Sequence, residues 1–93
     1  MKRKLLQAGS FGRDLTAWVK RHPGSATDIQ LVLDTLSADA FTPSLRTHRL
    51  RGKLSGRLAC RVGRDLRIVF TLAQQGGNEA IVLLALGTHD DVY

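Results

Sequence analysis

The stretch Thr47–Arg57, "THRLRGKLSGR", sets His48, Arg49, Arg51, Lys53 and Arg57 around two glycines. Amides freed by glycine, together with clustered cations, can cradle phosphate, although the spacing matches no nucleotide-binding loop of the Walker kind. Downstream, "GRLACRVGRDLRIVFTL" supplies Arg61, Asp65 and Arg67, and the chain closes on "GTHDDVY" with His89 and Tyr93. These residue types suit cleavage of RNA without a metal. That reaction needs a base for the ribose 2′-OH proton, cations for the phosphorane charge, and an acid for the leaving oxygen. Imidazole titrates near neutrality and serves either proton step, while guanidinium serves the charge. Asp65 can orient a histidine or an arginine, and Tyr93 can stack on a base or donate a proton. Each residue also has a plainer reading. His48 and His89 then sit in loops, Asp65 makes a turn, and Tyr93 packs the chain end.

The elements that must position these groups follow from periodicity. "KRKLLQA" alternates in part and runs to Ser10, which can cap a helix with Phe11, Leu15, Trp18, Val19 and His22 on its apolar face. Pro23 stops that helix in "HPG", and a second begins near Ser25–Asp28 with Ile29, Val32, Leu33 and Leu36 in an i, i+3, i+4, i+7 stripe. Trp18 on such a stripe is a core residue rather than a base-stacking platform. "SADAFTPSLRT" connects, with Pro43 blocking a helix and Phe41 expected to tuck beneath it.

The period then changes to two. Leu58, Cys60 and Val62 share one face of a strand and Arg57, Ala59 and Arg61 the other; "GRD" turns the chain into Leu66, Ile68, Phe70 and Leu72. Arg57, Arg61 and Arg67 are expected to converge on the outer face of this hairpin. "QQGGN" makes the next turn, and "EAIVLLALG" is apolar throughout, as in a central strand covered on both faces. The expected fold is α+β: two N-terminal helices packed on a small, mainly antiparallel four-stranded sheet in the order β-α-α-β-β-β.

A length of 93 residues gives one domain, 1–93, and 43% hydrophobic with 24% charged residues is ordinary for a globular chain. No run approaches the roughly 18 apolar residues of a membrane helix, and "MKRKLLQAGS" lacks the apolar region of a signal peptide, so a cytoplasmic protein without a membrane partner is expected. The single Cys60 excludes an internal disulfide, no Cys/His set has zinc spacing, and no metal or cofactor is expected. Fourteen Lys+Arg against eight Asp+Glu give a net charge of +6, and ten of those cations are arginine. Planar guanidinium groups bind phosphate bidentately, so nucleic acid is a candidate partner beside the reading of a merely solubilising surface.

The run "THRLRGKLSGRLACRVGRDLRIVFTL", continued by "IVLLALGTHDDVY", resembles the RelE/ParE superfamily of bacterial toxins, and most closely the RelE/YafQ-type messenger-RNA interferases. The resemblance covers nearly the whole chain, with "GTHDDVY" its most specific part. It implies that His89 acts as general acid, that Tyr93 is the terminal aromatic of the active site, that Arg67 stabilises the transition state, and that Asp65 and His48 belong to the same site. Arg61 stands where YafQ-type chains carry another histidine, and Leu66 where they carry a tryptophan. The chain thus combines a YafQ-like His48, Asp65 and His89 with a RelE-like Arg61 and Arg67.

The same resemblance implies a toxin of a type II toxin–antitoxin pair, cutting messenger RNA in the ribosomal A site. Arg49, Arg51, Lys53 and Arg57 would bind RNA phosphates, including those of ribosomal RNA. It implies a cognate antitoxin whose acidic, amphipathic segment folds over this surface. Two other functions fit the fold: a ParE-like DNA gyrase inhibitor, against which "GTHDDVY" argues, and a catalytically decayed module binding antitoxin or nucleic acid.

Overall fold

Alternation over Leu58–Val62 and Leu66–Leu72 dictates a hairpin with one apolar face, and the rest of the sheet is built around it. The structure, a computed structural model, describes residues 3–92. In chain order the elements are β1 (Lys4–Gln7), α1 (Gly9–Arg21), α2 (Ala26–Ala38), β2 (His48–Arg49), β3 (Leu58–Val62), β4 (Leu66–Gln75), β5 (Asn78–Thr88) and α3 (His89–Val92). The sheet runs β1-β5-β4-β3-β2, with β1 parallel to β5 and the other neighbours antiparallel. The α+β architecture is as expected, but the sheet has five strands rather than four. The additional strand, β2, pairs only His48 with Ala59 and Arg49 with Leu58. Two residues are too few to show a period, so the sequence reads there as loop. Among the described residues no helix is long and apolar enough to cross a membrane.

One face of the sheet carries Leu58, Cys60, Val62, Leu66, Ile68, Phe70, Ile81, Leu83 and Leu86, packed with Phe11 of α1 and Ile29, Leu33 and Leu36 of α2. Phe11 and Phe70 are fully buried. Removing either ring would leave a cavity costing about 3–5 kcal/mol, comparable with the whole margin of a small domain. Val32, Leu15, Trp18 and Val19 lie partly buried at the border of this core. His22 is exposed, and its ring lies against Trp18 with centroids 4.3 Å apart. Phe41 does not tuck under its loop. It is 51% exposed, because the buried side chains of that connection are Ala40 and Leu45 instead.

β5 is the strand on which the site depends, and its two edges are held differently. Along β4 it pairs from Gln75↔Asn78 to Leu66↔Thr88, closed by Gly76 and Gly77 with φ of 58° and 83°. A two-residue hairpin turn of type I′ has left-handed backbone at both positions, which glycine adopts without strain. Between Val69↔Ala85 and Phe70↔Leu83 the register shifts, leaving Leu84 as the extra residue of a bulge. On its other edge β5 pairs with β1 only as far as Leu83. Beyond that point α1 takes over. Ala8 N donates to Leu83 O, Ser10 Oγ donates to Leu84 O at 2.5 Å, and Asp14 Oδ2 accepts from Leu86 N at 3.1 Å. Ser10 therefore does not cap α1, whose N-cap position is Ala8 without a side-chain bond. Spaced i, i+4 on one helix face, Ser10 and Asp14 instead satisfy backbone groups that a sheet edge would leave unpaired.

Cys60 is fully buried between strands, and desolvation pushes its thiol up to about 12, partly offset by a hydrogen bond with the Ile68 backbone. A raised thiol pKa stabilises the fold below the unfolded value of 9.0 and removes that contribution as pH climbs from 9.0 towards about 12. The folded protein is therefore expected to react with a thiol-specific chromogenic disulfide at pH 8 only at its unfolding rate, and at once in denaturant. Rapid reaction of the native protein would show that Cys60 is reachable.

Candidate active site

Register places three residues in one row across the sheet, on the face away from α1 and α2: Arg61 of β3, Arg67 of β4 and Gly87 of β5. Directly opposed residues of antiparallel strands hold their Cβ atoms about 5 Å apart, and like charges there repel. The repulsion is only partly relieved. Arg67 Nη1 donates to the carbonyls of Arg64 at 3.0 Å and Leu66 at 3.1 Å, which draws its head towards the β3–β4 turn. Arg61 keeps its Nε buried without an acceptor among the described residues. A buried, unpaired N–H beside a second cation costs free energy that a bound anion would recover.

Gly87 adds no side chain to this row, and the reason lies in α3. A Cβ built on Gly87 would stand 2.8 Å from Asp91 Cβ and 3.3 Å from Val92 Cγ1, so only glycine lets the last turn fold back this closely. That turn is fixed by reciprocal bonds: Thr88 N donates to Asp91 Oδ2 at 3.1 Å and Asp91 N donates to Thr88 Oγ1 at 3.3 Å. This is a capping box of the Ser/Thr-x-x-acid type, signalled in the sequence by "THDD" but not read there as structural. His89 is the first residue inside the cap. Its side chain is 65% exposed, with Nδ1 3.6 Å from Asp90 Oδ1. Because Thr88 pairs with Leu66, His89 and Asp65 lie just beyond the same end of the β4–β5 ladder.

His48 enters from the other side. It pairs with Ala59, two residues along β3 from Arg61, so both project from the same face. Its Nδ1 lies 3.1 Å from the carbonyl oxygen of Arg46, whose left-handed backbone (φ 51°) directs that carbonyl. A carbonyl can only accept. In this contact Nδ1 is therefore the donor.

The structure brings Arg61, Arg67 and the β5 end together, with His48 flanking. Asp65 is exposed in the Gly63–Asp65 turn, while the Arg67 head bonds to the turn carbonyls. Tyr93 lies outside the described residues. Arg57 does not join the Arg61/Arg67 pair, because β3 begins at Leu58 and Arg57 lies before it. With Arg49 it lines a separate cleft, whereas Arg51 and Lys53 flank a shallow depression with Leu50 and Leu54. All four loop cations are exposed. A further cleft of about 240 Å³ between α1 and α3 is lined by Asp14, Trp18, Arg21, Gly87, Asp91 and Val92. No group of three or more His, Cys, Asp or Glu residues among those described is placed to hold a metal ion.

Residues 3–93 match the family described as "Bacterial toxin of type II toxin-antitoxin system, YafQ". The E. coli DinJ–YafQ toxin–antitoxin complex contains a chain similar over 100% of this one and 99% of its own length, at 18% identity and a TM-score of 0.79. A YoeB/ParE toxin from Agrobacterium tumefaciens matches over 92% and 98%, at 17% identity and 0.77. A metal-bound toxin from Helicobacter pylori matches over 100% of both chains, at 24% identity and 0.74. At these identities the structural likenesses establish the fold. No curated protein sequence matches the chain.

Removing half of the capping box should loosen the turn that holds His89. Asp91→Ala is expected to cost about 0.5–2 kcal/mol in urea unfolding, with amide shift changes confined to the end of β5 and α3. An unchanged midpoint would mean that Thr88 and Asp91 do not restrain this turn.

Proposed function

The chain belongs to the YafQ family of bacterial toxins of type II toxin–antitoxin systems, and from that premise we propose that it is a ribosome-dependent endoribonuclease acting in the cytoplasm, cleaving messenger RNA without a metal and so inhibiting translation. One observation carries the reading: two arginines opposed across β3 and β4, one with a buried Nε lacking an acceptor among the described residues. Such a pair favours an anion, and most of all one gaining charge during reaction.

The flanking groups supply the proton steps. His48 takes the ribose 2′-OH proton, and the 2′ oxygen forms a bond to the adjacent phosphorus. Arg61 and Arg67 neutralise the charge on the non-bridging oxygens. The P–O5′ bond breaks as His89 gives its proton to the 5′ oxygen, leaving a 2′,3′-cyclic phosphate and a 5′-hydroxyl. Asp65 lies at the same end of the sheet as His89 and is assigned to orienting it, and Tyr93 is assigned to stacking on a base. Because the site is an open face, positioning of the strand must come largely from outside the protein. Presentation of the message on the ribosome would provide this, with Arg49, Arg51, Lys53 and Arg57 meeting RNA phosphates. The E. coli YafQ relative was solved with DinJ, which supports a cognate antitoxin for this chain, and the charge of +6 suits an acidic partner.

Primer-extension mapping of a defined message in reconstituted translation tests the reading, with free RNA as control. Cuts are expected on translating ribosomes, reduced roughly 10²-fold or more by His89→Ala through loss of acid catalysis. A message left intact at high protein concentration would sink the proposal and make a gyrase supercoiling assay the next experiment. Arg67→Ala is expected to slow single-turnover cleavage more than it weakens ribosome binding; equal losses in the two would make Arg67 a positioning contact.

A further inference from the structure

Phe41 stands out because its exposure is imposed rather than incidental. The residue before it, Ala40, is fully buried, and Ala40 O accepts from Thr47 Oγ1 at 2.6 Å. Phe41 N donates to Asp39 Oδ1 at 2.9 Å, and both the amide and hydroxyl of Thr42 donate to Asp39 O. The loop is tied on both sides of a ring left 51% exposed. That ring borders a cleft of about 240 Å³ whose lining includes Arg49, Ser55, Arg57 and Leu72. The opposite wall is also fixed: Leu50 N donates to Arg57 O at 2.9 Å and Thr71 Oγ1 to Gly56 O at 3.3 Å.

Charge favours an anionic occupant. Residues 40–64 contain Arg46, Arg49, Arg51, Lys53, Arg57, Arg61 and Arg64 and no Asp or Glu. A held aromatic face beside two guanidinium groups is the combination that binds an unpaired nucleotide, by stacking on the base and pairing with phosphate. The cleft is distinct from the candidate active site. Arg49 pairs with core-facing Leu58, so it projects from the face opposite His48, Arg61 and Arg67. Arg57 precedes Arg61 by four residues, about 13 Å along the strand direction. A strand being cut on the arginine face would have to cross the sheet edge to reach Phe41. The occupant is therefore a different RNA segment from the message.

We propose that the Phe41–Arg49–Arg57 cleft binds an unpaired nucleotide of ribosomal RNA, with the base against the Phe41 ring and its phosphates on the two arginines. This rests on the ribonuclease reading for the identity of the RNA, and its test is a binding measurement independent of cleavage. The 93-residue chain is co-sedimented with vacant ribosomes over a salt series, as wild type, Phe41→Ala, Phe41→Leu and Phe41→Trp, after confirming equal thermal stability. Phe41→Ala and Phe41→Leu are expected to weaken binding roughly 5- to 150-fold, the range for loss of one stacked base. Phe41→Trp should bind as wild type, because it restores a flat aromatic face. Arg57→Ala should lower the slope of log affinity against log salt by about 0.7, the value for one single-strand phosphate contact.

Wild-type ribosome affinity in Phe41→Ala overturns the proposal. So does a loss seen only on message-programmed ribosomes, or only against the cognate antitoxin, which would make the cleft a message or protein contact. Phe41-dependent binding to vacant ribosomes without any message cleavage would support the cleft while removing the endoribonuclease reading.

Discussion

The register of β4 against β5 is the constraint on which the site rests. A slip of one residue would turn Arg67 into the core and Ile68 out of it, would set Arg67 opposite a residue other than Gly87, and would separate the start of β4 from the turn that carries His89. The register is pinned at one end by a Gly76–Gly77 turn that admits two residues in left-handed backbone, and along its length by the alternation of Leu66, Ile68 and Phe70. The bulge at Leu84 lets β5 satisfy both neighbours: its first half pairs with β1, and its second half meets the side chains of α1. Fold and site therefore share one hydrogen-bonded ladder, and neither can be altered there without the other.

Charge is distributed to match. The unbroken cationic stretch from Arg46 to Arg64 leads to the arginine pair, while Asp65, Asp90 and Asp91 gather where β4 begins and β5 ends. These acidic groups have different tasks. Asp91 is spent on the cap with Thr88, Asp90 lies beside the His89 ring, and Asp65 sits in the turn. A strand of RNA on the arginine face would meet cations along most of its path and carboxylates only at the end of the sheet that carries His89.

Much of the architecture was legible because period carries it. Leu58, Cys60 and Val62 alternate, Ile29, Leu33 and Leu36 recur at helical spacing, and Pro23 ends α1 as expected. The misreadings occur where a local signal is answered by a distant partner. Ser10 has the type and place of a cap, but its hydroxyl bonds to Leu84, 74 residues away. Asp14 and Leu86 are a similar pair that no window contains. β2 exists only because β3 offers it an edge, and Phe41 stays in solvent because its neighbours fill the space below. Arg57 was grouped with Arg61 by alternation, which fails where the strand has not yet begun. Conversely, "THDD" did hold a structural signal, overshadowed by the chemistry of its histidine.

The contact of Trp18 with the cleft beside α3 has a spectroscopic consequence. The chain holds one tryptophan; its ring lies against His22 on one side, its Nε1 is buried without an acceptor among the described residues, and Gly87, Asp91 and Val92 line the same cleft. Indole emission depends on local polarity, so a shift of the last turn away from α1 would alter the emission of a single fluorophore. The protein thus contains its own optical gauge of the segment that presents His89.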